Sequence, residues 1–305
     1  MSAHVPVAGE DGGVMLPRCF GVLGDPVGHS RSPRMHAAAF AVLGLPHRYL
    51  AFHVAPTELA AAVAGARALG FGGLNLTVPH KQAGLGCVDR LGAAARRIGA
   101  VNTLCFAGGE VVGENTDGLG FAAALGELGG AVGSAVVLGA GGAALAVVDA
   151  LVHEGLLSAG GRLVWVTREP AALAGVVAAR PWLAGVVEVT PWEALVAAPP
   201  RAELLVNCTS VGMRGGPAEF PIRLSLDLLP AQARVVDAVY PRPAGGLLER
   251  AAARGLRVQD GLPMLLWQGV RALERWLDLE LSVAAVAAMR AALYAENLPD
   301  QPGPR

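Results

Sequence analysis

The sequence offers little to a charged partner, an oxidising compartment or a metal. Charged residues make up 16% of its 305 positions, and 24 lysines and arginines nearly cancel 25 aspartates and glutamates, leaving a formal net charge of -1. Such a balance projects no field that would gather nucleic acid or anionic lipid, so no nucleic-acid and no membrane partner is expected and the partners should be small molecules. Cysteine is scarce, and Cys19, Cys87, Cys105 and Cys208 stand singly, without the CxxC pairs of a structural zinc site or the density of a disulfide framework. The histidines form no HExxH, and His29 and His36 lack ligand spacing, so no metal is expected.

A targeting segment is also missing, since MSAHVPVAGEDGGVMLP has no basic stretch followed by an apolar one. The most apolar window, 131–148, is broken by Gly133, Ser134, Gly139, Gly141 and Gly142, which suits a strand, a glycine turn and a helix better than a membrane span. The expectation is a cytoplasmic chain with flexible tails at 1–16 and 297–305. Apolar material, by contrast, is plentiful at 53%, and the length exceeds what one core comfortably organises, so two domains are expected.

Strand and helix signals alternate from CFGVLG at Cys19. A helix starts near Ser32-Pro33, HRYLAFHV extends from His47, Thr57 to Leu69 has helical spacing, and GLNLTVP reads as a strand entering a proline turn. The alternation restarts at Ser134 with AVVLG, a helix from Ala143 to Glu154, RLVWVT, a helix near Leu173, and strands at 186–189, LLVNCTS, RVVDAVY and LRVQDG. One long helical tail follows from Pro263. The pattern is α/β with two domains: an N-terminal domain with a mostly parallel sheet and an inserted Rossmann-type dinucleotide-binding domain of the doubly wound kind.

Several segments carry chemistry. Gly139-Ala140-Gly141-Gly142-Ala143 follows a strand and opens a helix, as a pyrophosphate-binding turn requires, with the small Ala144 where close helix–strand packing needs it. At the end of the next strand, Thr167-Arg168-Glu169 offers a guanidinium to a 2′-phosphate, or else a solvated charge pair. His29-Ser30-Arg31-Ser32-Pro33 puts two hydroxyls before a helix, suited to a carboxylate or to simple capping by Ser32. Lys81 ends the run Asn75-Leu76-Thr77-Val78-Pro79-His80-Lys81, and Asp117 precedes a helical stretch that it could merely cap. Spacing does not bring Lys81 and Asp117 together.

In order and spacing, GDPVGHSRSPRMH, GLNLTVPHK, IGAVNT, NTDG, VLGAGGA, VNCTSVGM, VVDAVY and DGLPMLLWQG resemble the shikimate dehydrogenase family over residues 18 to 296. The resemblance implies NADPH-dependent, reversible reduction of 3-dehydroshikimate to shikimate in aromatic amino-acid biosynthesis. It implies a substrate domain of 17–117 plus 261–296, an NADP domain of 118–260, and a cleft between them. It also implies a monomer or homodimer. By family analogy Ser30 and Ser32 hold the substrate carboxylate, Asn75, Thr77, Asn102, Asp117 and Gln268 complete the polar contacts, and Tyr240 approaches from the NADP domain. Lys81 and Asp117 match the catalytic pair. Gly139, Ala140, Gly141, Gly142, Ala143, Thr167, Arg168, Ala238 and Gly261 form the cofactor set.

Some positions depart from the family pattern. Glu169 follows Arg168, Ala171 and Ala172 supply no second basic group, and Leu145 stands where an arginine is common, which leaves NAD use open. Tyr240-Pro241-Arg242-Pro243-Ala244-Gly245-Gly246 and Pro263 also differ. Two rivals follow: a quinate/shikimate dehydrogenase using NAD, and a non-catalytic regulator of the same fold, against which the intact Lys81 and Asp117 count.

Overall fold

Short apolar runs, some ending in glycine, asparagine or aspartate as at Gly24, Asn207 and Asp237, form most of the strands, and alanine-rich stretches between them form most of the helices. The structure, a computed structural model, describes residues 16–197, 201–213, 215–240 and 245–295. The expected tails, apart from Leu16, and the departure at 241–244 lie outside these residues. The chain forms two compact units that exchange after Thr116 and again at Gln268, so that 117–267 make up the second. The first residues of the long C-terminal helix are thus counted with the second unit, where the sequence reading set the return at Gly261.

The first unit contains β1 (Cys19–Gly24), α1 (Ser32–Leu43), β2 (Arg48–His53), α2 (Leu59–Ala68), β3 (Gly73–Leu76), α3 (His80–Ala83), β4 (Arg90–Leu91), α4 (Ala93–Ile98), β5 (Thr103–Ala107) and β6 (Glu110–Glu114). Its sheet has the order β2-β1-β3-β5-β6-β4. Pairings β1–β2, β1–β3 and β4–β6 are parallel, while β3–β5 and β5–β6 are antiparallel. The β5–β6 hairpin turns on Gly108 and Gly109, with φ of 58° and 83°, the left-handed pair that a two-residue turn of matching twist demands. On one face of the sheet, Leu59, Val63 and Ala66 of α2 and Ala95 of α4 pack on Leu23, Leu74, Leu76 and Leu104. Elsewhere in the unit Phe20 gathers Phe40, His47 and Trp276 with ring centroids 5.3–5.5 Å apart.

The second unit contains α5 (Asp117–Glu127), β7 (Val132–Leu138), α6 (Gly142–His153), β8 (Leu157–Thr167), α7 (Pro170–Ala178), β9 (Val187–Pro191), α8 (Ala194–Ala197), β10 (Leu204–Asn207), β11 (Arg234–Asp237), α9 (Leu247–Ala253) and β12 (Arg257–Gln259). Helix α10 (Leu262–Leu277) leads out of it, and α11 (Val283–Tyr294) belongs to the first unit. All five pairings in the order β12-β11-β10-β7-β8-β9 are parallel. Successive side chains serve opposite faces: Val137, Leu163, Trp165, Leu204 and Val206 join the core under α5, α6 and α7, while Val136, Leu138, Val166, Leu205 and Val235 join the core under α8 and α9. This is the doubly wound arrangement, and its strand order reverses between β7 and β10, where such sheets bind ligands at the strands' carboxyl ends. Among the described residues, no helix is long and apolar enough to cross a membrane.

Candidate active site

In the first unit the candidate residues are joined by hydrogen bonds. Ser32 is the first residue of α1 rather than its cap, with Pro33 behind it; the cap position falls to Arg31, whose side chain makes no capping bond. It is Ser30 Oγ that accepts the Ser32 N–H, at 3.3 Å. Tyr49 donates to Asn75 Oδ1 at 2.7 Å. Asn75 Nδ2 donates to the Asn102 carbonyl and to Thr103 Oγ1, both at 3.0 Å. Asn102 Oδ1 accepts from Thr103 Oγ1 at 2.9 Å and from the Thr116 N–H at 2.8 Å, and Asn102 Nδ2 reaches Gln268 Oε1 at 3.5 Å. Tyr49, Asn75, Asn102, Thr103 and Gln268 thus lie on one continuous polar chain, all less than a tenth exposed. No local spacing in the sequence had singled out Tyr49 or Thr103.

Against the Tyr49 ring, at 4.1 Å between centroids, lies His36. It is fully buried and neither ring nitrogen has a hydrogen-bond partner, so burial pushes its imidazole down to about 3. A histidine depressed in the folded state binds its proton only on unfolding, so its contribution is complete above pH 6.5 and is lost as pH falls from there towards 3. Urea unfolding of the wild type should therefore show about 2 kcal/mol more loss between pH 7 and 5 than His36→Phe does. Equal losses in the two proteins would contradict a neutral buried His36. Tyr49 is pushed well above its ordinary range, by burial and against a smaller lowering from Ser32, and stays protonated.

The loop after β3 carries the other candidates of this unit. Thr77 is held by its N–H on the Leu23 carbonyl at 2.9 Å, and its own carbonyl accepts the His80 N–H at 2.7 Å. Its methyl occupies the space a side chain at Gly24 would need, since a Cβ there would stand 2.4 Å from Thr77 Cγ2. The buried His80 anchors α3 to the Val54 carbonyl at 2.8 Å, and the half-buried Lys81 follows it. Asp117, buried, is the first residue of α5 and opens the second unit; Tyr240 is also in that unit.

The nucleotide candidates of the second unit cluster at the strand-order reversal. Gly139, directly after β7, has φ of 101°, and a Cβ there would lie 3.0 Å from the Cys208 carbonyl that follows β10. Glycine is needed on both counts. Its carbonyl accepts from Trp165 Nε1 at 2.6 Å, which ties the turn to β8. At Gly141 and Gly142 a Cβ would meet nothing within 4 Å, and no side chain caps the start of α6. That cradle fits a pyrophosphate. Ala140 is exposed, Ala143 is half-buried, and Ala144 packs fully inside. Thr167 is buried, its hydroxyl accepting the Glu169 N–H at 3.2 Å, while Arg168 and Glu169 are exposed at the end of β8. Leu145 packs against the core. Across the sheet, a Cβ on Gly261 would fall 2.3 Å from the Ala238 carbonyl and 3.2 Å from the Tyr240 ring, so these three candidates adjoin one another.

Comparison with known proteins agrees with this division. Residues 22–104 match the family model of the shikimate dehydrogenase substrate binding domain. A shikimate dehydrogenase (NADP(+)) of Rubrobacter xylanophilus is 46% identical over 282 residues, covering 91% of this chain and 95% of the relative. The chain belongs to the shikimate dehydrogenase family. Among solved members, the shikimate 5-dehydrogenase of Thermus thermophilus, in complex with NADP(H) and shikimate, superposes with a TM-score of 0.76 at 38% identity, covering 90% of this chain and 98% of that one. That of Listeria monocytogenes, in complex with shikimate and NAD, gives 0.77 at 32% identity over 89% and 95%. The family motifs map onto the polar chain of the first unit and onto the glycine turn of the second.

Proposed function

We propose that this protein is an NADP-dependent oxidoreductase that interconverts 3-dehydroshikimate and shikimate. The buried polar chain through Tyr49, Asn75 and Asn102, inside the matched substrate-binding domain, and on to Gln268 outside it, carries the reading. A polyhydroxylated ring acid needs such fixed donors and acceptors, and a pocket built to bond each of its hydroxyls strongly rejects an analogue that lacks one. Ser30 and Ser32 serve the carboxylate, and Asn75, Thr77, Asn102 and Gln268 the ring hydroxyls.

The residues around β7 suit a dinucleotide. Gly139 to Ala143 and the uncapped start of α6 hold the pyrophosphate, Thr167 and Arg168 the adenosine end, and Ala238 and Gly261 the approach to the nicotinamide. When bound, the dinucleotide supplies or accepts hydride at the ring carbon. Lys81 gives its ammonium proton to the oxygen that becomes the alkoxide in reduction, and takes it back in oxidation. A positive group there also stabilises the charge as it develops. Asp117 is assigned the part of carboxylate partner to Lys81 on the family resemblance alone.

NAD remains the second cofactor reading, favoured by the exposed Glu169 beside Arg168 and by the apolar packing of Leu145. Initial rates of shikimate oxidation with NADP and with NAD, and with quinate in parallel, decide between them. Arg168→Ala should raise the NADP KM about tenfold, the worth of one charge-assisted contact, with the NAD KM unchanged. An equal rise for both cofactors would remove Arg168 from 2′-phosphate recognition. Comparable wild-type rates with NAD or quinate would favour the catabolic paralogue, and ligand binding without any turnover would favour the regulator.

A further inference from the structure

The polarity of the buried chain can be worked out from its one fixed end. The Asn102 carbonyl only accepts, so the Asn75 atom facing it at 3.0 Å must be the amide nitrogen. The second Asn75 N–H is taken by Thr103 Oγ1. Asn75 Oδ1 therefore faces Tyr49, and the Tyr49 phenol must be the donor across the 2.7 Å between them. Tyr49 is 3% exposed and is wedged between His36 at 4.1 Å and Trp276 at 6.2 Å, so it is held firmly and lies inside the wall rather than on its surface.

We infer that Tyr49 is a positioning residue for substrate recognition: its phenol, donating to Asn75 Oδ1 at 2.7 Å, fixes which way the Asn75 amide faces on β3. The inference rests on the proposed role of Asn75 at a ring hydroxyl. Asn75, with both its N–H groups and one acceptor direction filled from inside, retains acceptor capacity only on Oδ1. It meets a ring hydroxyl as an acceptor, and that hydroxyl must donate. Removing the phenol oxygen leaves Asn75 Oδ1 short of its internal partner, free to turn away from the geometry the substrate requires.

Tyr49→Phe tests this, because the ring, its packing on His36 and its burial are retained. Wild-type, Tyr49→Phe, Asn75→Ala and doubly substituted proteins are compared in steady-state oxidation of shikimate. In Tyr49→Phe the shikimate KM should rise about tenfold, with kcat and the NADP KM within about twofold of wild type. The double variant should bind shikimate no more weakly than Asn75→Ala alone, because residues that act through one another are not additive. A purely structural Tyr49 would instead lower the melting temperature and the active fraction, reducing apparent kcat at an unchanged KM, and that result would overturn the inference. Strictly additive losses would overturn it too. A wild type that fails to oxidise shikimate would defeat the functional reading and this inference with it, whereas an active wild type with an indifferent Tyr49→Phe defeats the inference alone.

Discussion

Lys81→Ala should cost about a thousandfold in the rate of shikimate oxidation, within the range that positioned proton transfer contributes. Lys81 is half-buried in the short α3, whose backbone is anchored on both sides. The Lys81 carbonyl accepts the Val101 N–H at 2.8 Å, and His80 is bonded to the Val54 carbonyl. A truncation at position 81 leaves those anchors in place, so shikimate affinity measured by calorimetry should change by less than about tenfold while turnover collapses. Added primary amines then distinguish the two chemical roles. If Lys81 transfers the proton, rescue of shikimate oxidation in the alanine variant should grow with the basicity of the free amine; if it only supplies charge, rescue should be indifferent to it. Near-normal turnover with an unchanged pH profile in Lys81→Ala would eliminate both roles.

Trp165→Ala should lower stability by about 4 kcal/mol, the usual cost of removing a large aromatic side chain from a closed core. Trp165 is fully buried on β8 among the side chains under α5, α6 and α7, and its Nε1–H is the donor that ties the Gly139 carbonyl. The cavity and the lost tether are separable. Trp165→Phe keeps much of the volume and removes the N–H, and should cost about 2 kcal/mol. Both variants should raise the NADP KM, because the glycine turn at φ of 101° has lost the bond that holds its carbonyl away from the phosphate side. Urea unfolding with and without NADP provides both readouts. An alanine variant as stable as wild type would mean that the core under α6 collapses around the gap.

The parallel strands and the glycine turn were legible because their signals are local. AVVLGAGGA contains strand, turn and helix start in a row, and at Gly139 the backbone adopts the conformation that motif implies. The antiparallel part of the first sheet was not read. TLCFA and EVVGE are short and weakly alternating, and their best signal, Gly108-Gly109 between them, was lost among 41 glycines. The tail read as one helix is two, because Asp278 has a φ of 50° after α10 and Ser282 caps α11 by accepting the Ala285 N–H at 3.2 Å. Ser32 was legible as a helix start, and it is the first residue of α1. Tyr49 and Thr103 could not be found by spacing at all, since their importance lies in contacts 26 and 28 residues away along the chain.

Thr116 and Gln268 are the residues at which the chain leaves the first unit and re-enters it, and both are bonded to the side chain of Asn102. The first unit therefore loses no strand of its own sheet to the stretch between them, and the doorway for that stretch is one asparagine wide. Such closely spaced ends are where whole domains can be spliced in or exchanged. The ring-reading half can be inherited intact while the nucleotide-binding half is replaced, retuned between cofactors, or transplanted from a relative at those same two joints.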